Sequence, residues 1–246
     1  MTVLAIFGSK SDEETYGRVA DDLKRLGIDF ELRIASAHKT PEMVDEIIRK
    51  DYELIIAGAG LAAHLPGVIA AKKIVPVLGV PCPGAYDGLD AFLSITQMPP
   101  GIPVLEVNAD NAAMEAKKIL EKKDKVAVVG EGNAAEKAIA TLEELGTSFE
   151  MGDVAEDAVN IVFTELGRAV GERKELIIYC PVGAAGAGEA VDAMNAAKHG
   201  LWVGVNRGEN AAIAAAEILG KKEEIGNYRK KLAKKIAKAD EEAKKC

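Results

Sequence analysis

The feature that most constrains the fold is a series of short apolar runs that alternate with amphipathic segments. The first run, residues 3–7, is too short for a buried helix and is bounded by Gly8. Comparable runs follow at residues 30–34, 54–57, 75–80 and 102–107. Runs that are apolar throughout and alternate with helical patterns predict a parallel, doubly wound α/β sheet. Helices are predicted between them, over residues 13–26, from Pro41 onward, and over 63–73, 88–97 and 111–120.

Composition narrows the possible functions. Hydrophobic residues make up 48% of the chain and aromatic residues only 4%, so small aliphatic side chains must fill the core. A net charge of −8 argues against a nucleic-acid surface, which needs a basic stripe. It does not exclude a small anionic ligand, because the N-terminus of a helix binds anions whatever the net charge.

The cysteines and the first residues predict a cytoplasmic location. Cys82, Cys180 and Cys246 show no metal or redox spacing and are expected to be reduced thiols. The first residues do not form a signal peptide, and no apolar run approaches the roughly 20 residues of a membrane span. A membrane association is therefore not expected.

The chain repeats itself after a charged break near residue 122. Four segments match in the same order: 125–130 resembles 3–8, 144–150 resembles 25–31, 175–178 resembles 53–56, and 210–219 resembles 111–120. Any two strand–helix units look somewhat alike, but four ordered matches favour an internal duplication. The predicted domains are residues 1–122, a second copy over 123–220, and an amphipathic C-terminal helix over 221–246.

The second copy lacks the polar residues of the first. Residues 131–134 replace Ser9-Lys10-Ser11-Asp12, and the region around 154–157, which matches the loop of His38, has no histidine. At an offset of 122, His64 corresponds to Gly186. The C-terminal segment carries ten Lys or Arg against five Asp or Glu, and its apolar face predicts packing on its own chain or on a neighbour.

Three loops at predicted strand ends carry the candidate chemistry. Gly8–Asp12 offers small hydroxyl side chains and free N–H groups at a helix N-terminus, which suits a phosphate or, alternatively, a simple capped turn. His38 and His64 can each act as an acid or base near neutral pH, or each can be structural. His199 is expected to be structural, and a two-histidine metal site lacks a clear third ligand. Because parallel strands place their carboxyl ends at one edge, the three loops are expected to converge.

Several ordered motifs in residues 1–120 resemble one family of purine-biosynthesis enzymes. They are Gly8-Ser9-Lys10-Ser11-Asp12, Ser36-Ala37-His38-Lys39-Thr40-Pro41, the loop from Ala57 to Gly67, residues 76–81 and residues 94–99. Together they resemble N5-carboxyaminoimidazole ribonucleotide mutases and aminoimidazole ribonucleotide carboxylases. The resemblance implies a flavodoxin-like, three-layer fold and a reaction with no cofactor and no metal.

The resemblance also implies roles for individual residues. His38 matches the proton-transfer histidine, and Ser9, Asp12 and Lys39 match positions that bind a ribose phosphate. The loop of His64 matches the wall that holds the carboxylate and CO2. The candidate catalytic residues are therefore His38 and His64, and the candidate substrate-binding residues are Gly8, Ser9, Ser11, Asp12, Ser36, Ala37, Lys39, Gly58, Ala59, Gly60, Ala62, Ala63 and Leu65.

Two activities and one non-enzymatic function stay open at this stage. Lys39 stands where the mutase branch usually has Arg, while the Ala62-Ala63-His64 string resembles that branch; residues 104–111 also look short for the family. The mutase is favoured over direct carboxylation of the aminoimidazole ribonucleotide by CO2, and a nucleotide-binding regulator is the alternative outside enzymes. Family members assemble as octamers, so four duplicated chains are expected to form an equivalent homo-oligomer with four active sites. The expected substrate is a phosphoribosyl-imidazole. Neither nucleic acid nor a membrane is expected as a partner.

Overall fold

The computed structural model describes residues 2–245, and in this range ten strands form one continuous sheet with helices on both faces. The strand order is β2-β1-β3-β4-β5-β10-β9-β8-β6-β7. The strands are β1 Val3–Phe7, β2 Phe30–Ile34, β3 Leu54–Ala59, β4 Val77–Pro81, β5 Leu105–Glu106, β6 Lys125–Val129, β7 Phe149–Met151, β8 Ala158–Glu165, β9 Leu176–Val182 and β10 Leu201–Trp202.

The helices form two layers, one on each face of the sheet, so the predicted three-layer doubly wound fold is confirmed. One layer packs α1, α5, α6 and α8 on the sheet, and the other packs α2, α3, α4 and α7. Their bounds are α1 Glu13–Arg25, α2 Pro41–Ile47, α3 His64–Lys72, α4 Leu89–Thr96, α5 Ala109–Leu120, α6 Asn133–Glu144, α7 Glu189–Ala196 and α8 Gly208–Ile218; the last helix is α9 Lys222–Ala243.

The fifth predicted strand is the poorest match in the first half. It spans only Leu105–Glu106, against the predicted range 102–107. Pro103 has no N–H for the ladder, and it also restricts the backbone of Ile102. Helix α5 begins at Ala109 instead of residue 111, because the Asn108 side chain accepts a hydrogen bond from the Asp110 N–H at 3.1 Å.

The second half repeats the topology of the first. Its order, β7-β6-β8-β9-β10, matches β2-β1-β3-β4-β5, and each half is parallel within itself. The halves meet through an antiparallel pair, Glu106 opposite Trp202, so they run in opposite directions. This repeated order agrees with the predicted duplication. The division at residue 122 stays a prediction, since the sheet is continuous.

One of the four repeat matches was wrong. The segment 175–178 begins β9, whose position in the sheet corresponds to β4, whereas β3 corresponds to β8. The assignment of His64 to Gly186 is therefore wrong as well. The motif Glu-Leu-Ile-Ile describes any buried parallel strand, so its similarity did not distinguish one strand from the next.

The second half also lacks two helices. Strand β7 connects to β8 through residues 152–157, and β8 connects to β9 through residues 166–175, without a helix in either segment. The corresponding connections in the first half contain α2 and α3, which follow the loops of His38 and His64. The second half therefore retains the sheet without the elements that carry these histidines.

Helix α9 ties the C-terminal segment back to the first half. Ile225 is fully buried and the Leu232 side chain packs on Gly101, but Ile236 is 72% exposed. The predicted apolar face therefore packs only along its first part.

Within residues 2–245, no helix is both long and apolar enough to cross a membrane. Cys82 and Cys180 are free and buried, and the thiol predicted for Cys246 lies outside the described residues.

A buried ion pair anchors this helix. Arg229 donates to Glu217 at 2.9 Å and to the carbonyls of Ala70 and Lys73 at 2.8 and 3.0 Å, where α3 ends. Burial raises the pKa of Glu217 well above its usual value, and Arg229 opposes this shift. The guanidinium thus joins α8, α9 and the C-terminus of α3.

Replacing Arg229 with Met is expected to lower the free energy of unfolding by roughly 3 kcal/mol, measured by urea denaturation at pH 7. The change leaves a buried carboxylate without its cation and two helix carbonyls without their donor. The double variant, Arg229→Met with Glu217→Gln, should recover a large part of the lost free energy of unfolding, because the Glu217 carboxylate is then replaced by a neutral amide.

The control for this prediction lies on the same helix. Lys231 pairs with Glu144 in an exposed ion pair, so Lys231→Met should change stability by less than about 0.5 kcal/mol. An equal loss in Arg229→Met and in the double variant would contradict the role of the buried pair.

Candidate active site

Three loops meet in a cleft of about 480 Å³ at the carboxyl ends of β1, β2 and β3. The predicted convergence of these loops at one edge of the sheet is therefore observed. Of the fifteen predicted site residues, all except Gly58 line the cleft; Leu61 and Pro83 complete its wall. What each residue does there stays a prediction.

The two histidines are in direct contact. His38 Nε2 lies 2.7 Å from His64 Nδ1, with ring centroids 4.8 Å apart and ring planes at 69°. One ring donates and the other accepts, so the hydrogen bond fixes complementary tautomers.

The loop of His38 is held by hydroxyl groups. Thr40 Oγ1 accepts from the Ser36 N–H at 2.9 Å and donates to the Ser36 carbonyl at 3.2 Å. Ser36 Oγ in turn accepts from the N–H groups of His38 and Lys39, at 3.4 and 3.2 Å. Pro41 then starts α2, as predicted. These local hydrogen bonds fix the turn that presents the imidazole.

The loop of His64 is held in a strained backbone. Leu61 and Ala63 have φ angles of 56° and 34°, in the left-handed region that costs a residue with a side chain about 1 kcal/mol or more. The Ala63 N–H donates to the Gly60 carbonyl at 3.0 Å, and Ser94 Oγ of α4 donates to the Ala62 carbonyl. This bonding holds His64 as the first residue of α3.

The Gly8–Asp12 turn is built around serine hydroxyls. Ser9 Oγ accepts from the Ser11 N–H at 3.2 Å and from Ser11 Oγ at 2.8 Å. Asp12 stands at the N-cap position of α1, but its carboxylate makes no capping hydrogen bond. Partial burial raises the pKa of Asp12, while the Ser11 hydroxyl lowers it. Asp12 lines the cleft, and its carboxylate does not cap the first N–H groups of α1.

Lys39 is the cation at the rim of the cleft. Its side chain is exposed and forms no ion pair with any residue in the range 2–245. A free ammonium beside a serine-rich turn suits an anion such as a phosphate. Within the same range, no group of three or more His, Cys, Asp or Glu side chains is arranged to hold a metal ion. His199 lies outside the cleft.

Gly58 is the one predicted site residue that does not line the cleft, and its role in substrate binding stays a prediction. A Cβ at this position would lie 2.1 Å from Cε1 of Phe7, whose side chain is fully buried. Gly58 is needed because the Phe7 ring occupies the space beside its backbone. Its place in a glycine-rich loop suggested ligand contact, but this glycine serves the core.

Pro83 was missed because it lies far along the chain. A Cβ at Gly60 would lie 3.2 Å from the Pro83 carbonyl oxygen and 3.3 Å from that of Cys82, so Gly60 lets the two loops approach. Residues 81–88 are rich in Gly and Pro, which is typical of a loop after β4. This composition did not indicate that this loop would reach the cleft.

Comparison with known proteins places this site in a family. The family model described as AIR carboxylase matches residues 2–130. The chain belongs to the AIR carboxylase family. It is 46% identical over 147 residues to the N5-carboxyaminoimidazole ribonucleotide mutase of Methanocaldococcus jannaschii. The aligned region covers 58% of this chain and 89% of that protein.

Two further relatives each match about half of this AIR carboxylase family member. The N5-carboxyaminoimidazole ribonucleotide mutase of Pseudomonas aeruginosa is 47% identical over 128 residues, which is 48% of this chain and 78% of that protein. The crystal structure of Treponema denticola PurE is 34% identical, with a TM-score of 0.44, and covers 48% of this chain and 78% of that chain.

Two glycine variants should separate the core from the cleft. Gly58→Ala is expected to lower the free energy of unfolding by about 2 kcal/mol or more, because the buried Phe7 ring must move. Gly8→Ala should change it by less than about 0.5 kcal/mol, because its Cβ meets only ordinary contacts at 3.8 Å. Gly8 lines the cleft, so its added methyl should weaken binding of ribose 5-phosphate roughly tenfold.

Urea denaturation and calorimetric titration measure these two effects. Equal losses of stability in the two variants would contradict the assignment of Gly58 to the core. Unchanged ribose 5-phosphate binding in Gly8→Ala would contradict the predicted phosphate site at the Gly8–Asp12 turn.

Proposed function

We propose that this protein converts N5-carboxyaminoimidazole ribonucleotide to 4-carboxy-5-aminoimidazole ribonucleotide in purine biosynthesis. The observation that carries this proposal is the contact between His38 and His64 inside a cleft that also contains a phosphate-type turn. Phosphate binding alone requires neither imidazole. The relatives reported above bear the name of the mutase, which supports this reaction.

The residues of the cleft suggest how the substrate lies. We place the phosphate at the turn of Ser9 and Ser11, where the N-terminus of α1 and the free Lys39 ammonium provide positive potential. Asp12 can accept hydrogen bonds from ribose hydroxyls. The imidazole then lies between the two histidines and the small residues of the Ala59–Ala63 loop, which leave room for the carboxylate.

The reaction moves one carboxyl group and returns one proton. The bond between the exocyclic nitrogen and the carboxylate breaks, its electron pair stays on nitrogen, and protonated His38 gives that nitrogen a proton as CO2 leaves. Ring carbon C4 then attacks the CO2 carbon, and His38 takes the C4 proton. Small apolar residues around the cleft keep CO2 close and water out. His64 orients the His38 ring through the hydrogen bond between His64 Nδ1 and His38 Nε2.

Direct carboxylation of aminoimidazole ribonucleotide by CO2 is the second candidate activity. It would use only the second step of this reaction, in which C4 attacks CO2 and His38 takes the C4 proton. Lys39 in place of Arg favours it. A regulator that binds nucleotides without turnover is the non-enzymatic alternative. The histidine pair argues against it.

Replacing His38 with Asn is expected to lower kcat by about 100- to 10,000-fold and to change substrate affinity by less than about threefold. The imidazole is needed for proton transfer, whereas the phosphate turn supplies most of the binding. His199→Asn removes the third histidine, outside the cleft, and should keep kcat within about twofold of the unchanged protein.

Two substrates offered separately distinguish the activities. Product formed at low CO2 from the N-carboxylated ribonucleotide alone supports the mutase; product from aminoimidazole ribonucleotide with bicarbonate supports the carboxylase. No turnover of either substrate by the unchanged chain, with ligand binding reduced in His38→Asn, would overturn both and leave the regulator.

We infer that four chains assemble into one homo-oligomer in the cytoplasm with four active sites. The repeated order of strands gives each chain two equivalent halves, of which only the first has the histidine loops. The exposed Ile236 on the far part of α9 offers an apolar contact for a neighbouring chain. The free thiols of Cys82 and Cys180 agree with a reducing compartment.

The assembly is tested by mass. Light scattering of the full chain should give four times the 26.0 kDa of one chain. Ile236→Lys should shift the distribution toward smaller species, because it places a charge in the proposed contact. A mass of eight chains, or eight occupied sites per assembly, would contradict the proposal.

A further inference from the structure

We propose that a second cavity, between the ends of β4 and β5 and the segment after α7, binds a small organic cation, a protonated amine or amidinium, through the buried carboxylate of Glu106. The cavity has a volume of about 550 Å³, enough for a small molecule. Pro83 is its one lining residue in common with the histidine cleft. It is therefore a separate site, which none of the motifs in the sequence indicated.

Glu106 is the group that requires a partner. It is the last residue of β5, its side chain lines the cavity, and it is only 3% exposed. Its Oε2 atom has no hydrogen-bond partner. A buried carboxylate without donors is costly, and a ligand that brings both positive charge and N–H groups removes that cost.

The second half of the molecule shows that the sheet does not need this cavity. In the ladders, Gly79 lies opposite Glu106, and Tyr179 lies opposite Trp202 at the corresponding place in the other half. Tyr179 and Trp202 stack with ring centroids 4.8 Å apart. The cavity at this place, which Trp202 and Pro181 line, measures only about 10 Å³. The first half thus places a carboxyl and an open cavity where the second half places packed aromatic rings.

The charges around the cavity favour a cation. From α1, Arg18 is bound by Asp110 at 2.7 Å and by Glu14 at 3.3 Å, so its charge is already neutralised. Apart from Glu106 and the paired Glu14 and Arg18, the charged residues that line the cavity are Asp87, from the loop before α4, and Lys198.

The pKa values of the groups in the cavity give the expected pH dependence. Lys198, which is exposed, lowers the pKa of Glu106, but burial is the larger effect and raises it to about 8. The Cys82 thiol stays protonated, because burial raises its pKa to about 12. A cation binds the ionised carboxylate and draws the pKa of Glu106 back down. Its affinity should therefore rise as pH increases through 8.

The test is a titration of the full-length chain with benzamidine and with benzamide, its neutral isostere. Trp202 is the single tryptophan and lies opposite Glu106, so its fluorescence reports binding. Benzamidine is expected to bind at least tenfold more tightly than benzamide at pH 9, and this preference should disappear in Glu106→Gln. Between pH 7 and pH 9 the benzamidine affinity of the unchanged chain should rise about tenfold, as a carboxyl with a pKa near 8 ionises.

Two variants serve as controls. Asp12→Asn removes the carboxylate of the histidine cleft, and Glu209→Gln removes another buried carboxyl, whose Oε2 also has no partner. Both should keep the preference for benzamidine. The proposal fails if Glu106→Gln binds benzamidine as well as the unchanged chain, if Asp12→Asn abolishes binding, or if no preference is seen. The pH series on the unchanged chain decides the matter if Glu106→Gln does not fold, because a flat affinity between pH 7 and 9 also overturns the proposal.

Discussion

The candidate site depends on how the carboxyl end of β1 pairs with its two neighbours. Phe7 lies level with Ile34 of β2 and Gly58 of β3, and its carbonyl accepts from the Ala35 N–H at 3.0 Å. The Gly8 N–H donates to the Gly58 carbonyl at 3.0 Å. Because of this register, the three loops begin at the same position along the strand direction, so their polar residues meet in one cleft. The buried Phe7 ring packs over Gly58 and stabilises this register from within the core.

The two halves of the molecule show which features belong to the sheet and which to the sites. Both halves have the same strand order and bury apolar strands between helices. Only the first half retains α2 and α3 after the histidine loops, and only there does a large cavity lie beside the fourth and fifth strands. The second half extends the sheet beyond β5, and its helices complete the two helix layers on either face of the sheet.

Sequence reasoning was right where a residue's role follows from its local surroundings. The ends of β1 and β2, the convergence of three loops and the position of Pro41 all follow from apolar runs and turn residues. It was insufficient where several arrangements share one local pattern. The apolar motif at residue 175 fitted two strands equally well and was assigned to the wrong one. Glycine serves both core and cleft, so the pattern did not show that Gly58 packs against Phe7.

By itself, the sequence determined the α/β class, the duplication of the pattern and the pair of histidines, because hydrophobic period and turn chemistry are local properties. Only the tertiary structure decided that His38 and His64 touch, that Pro83 closes the cleft and that Glu106 faces a cavity without a partner. These contacts join residues distant along the chain, and side-chain packing, strand register and burial set them. Burial also sets the charge of Glu106, which no local pattern encodes.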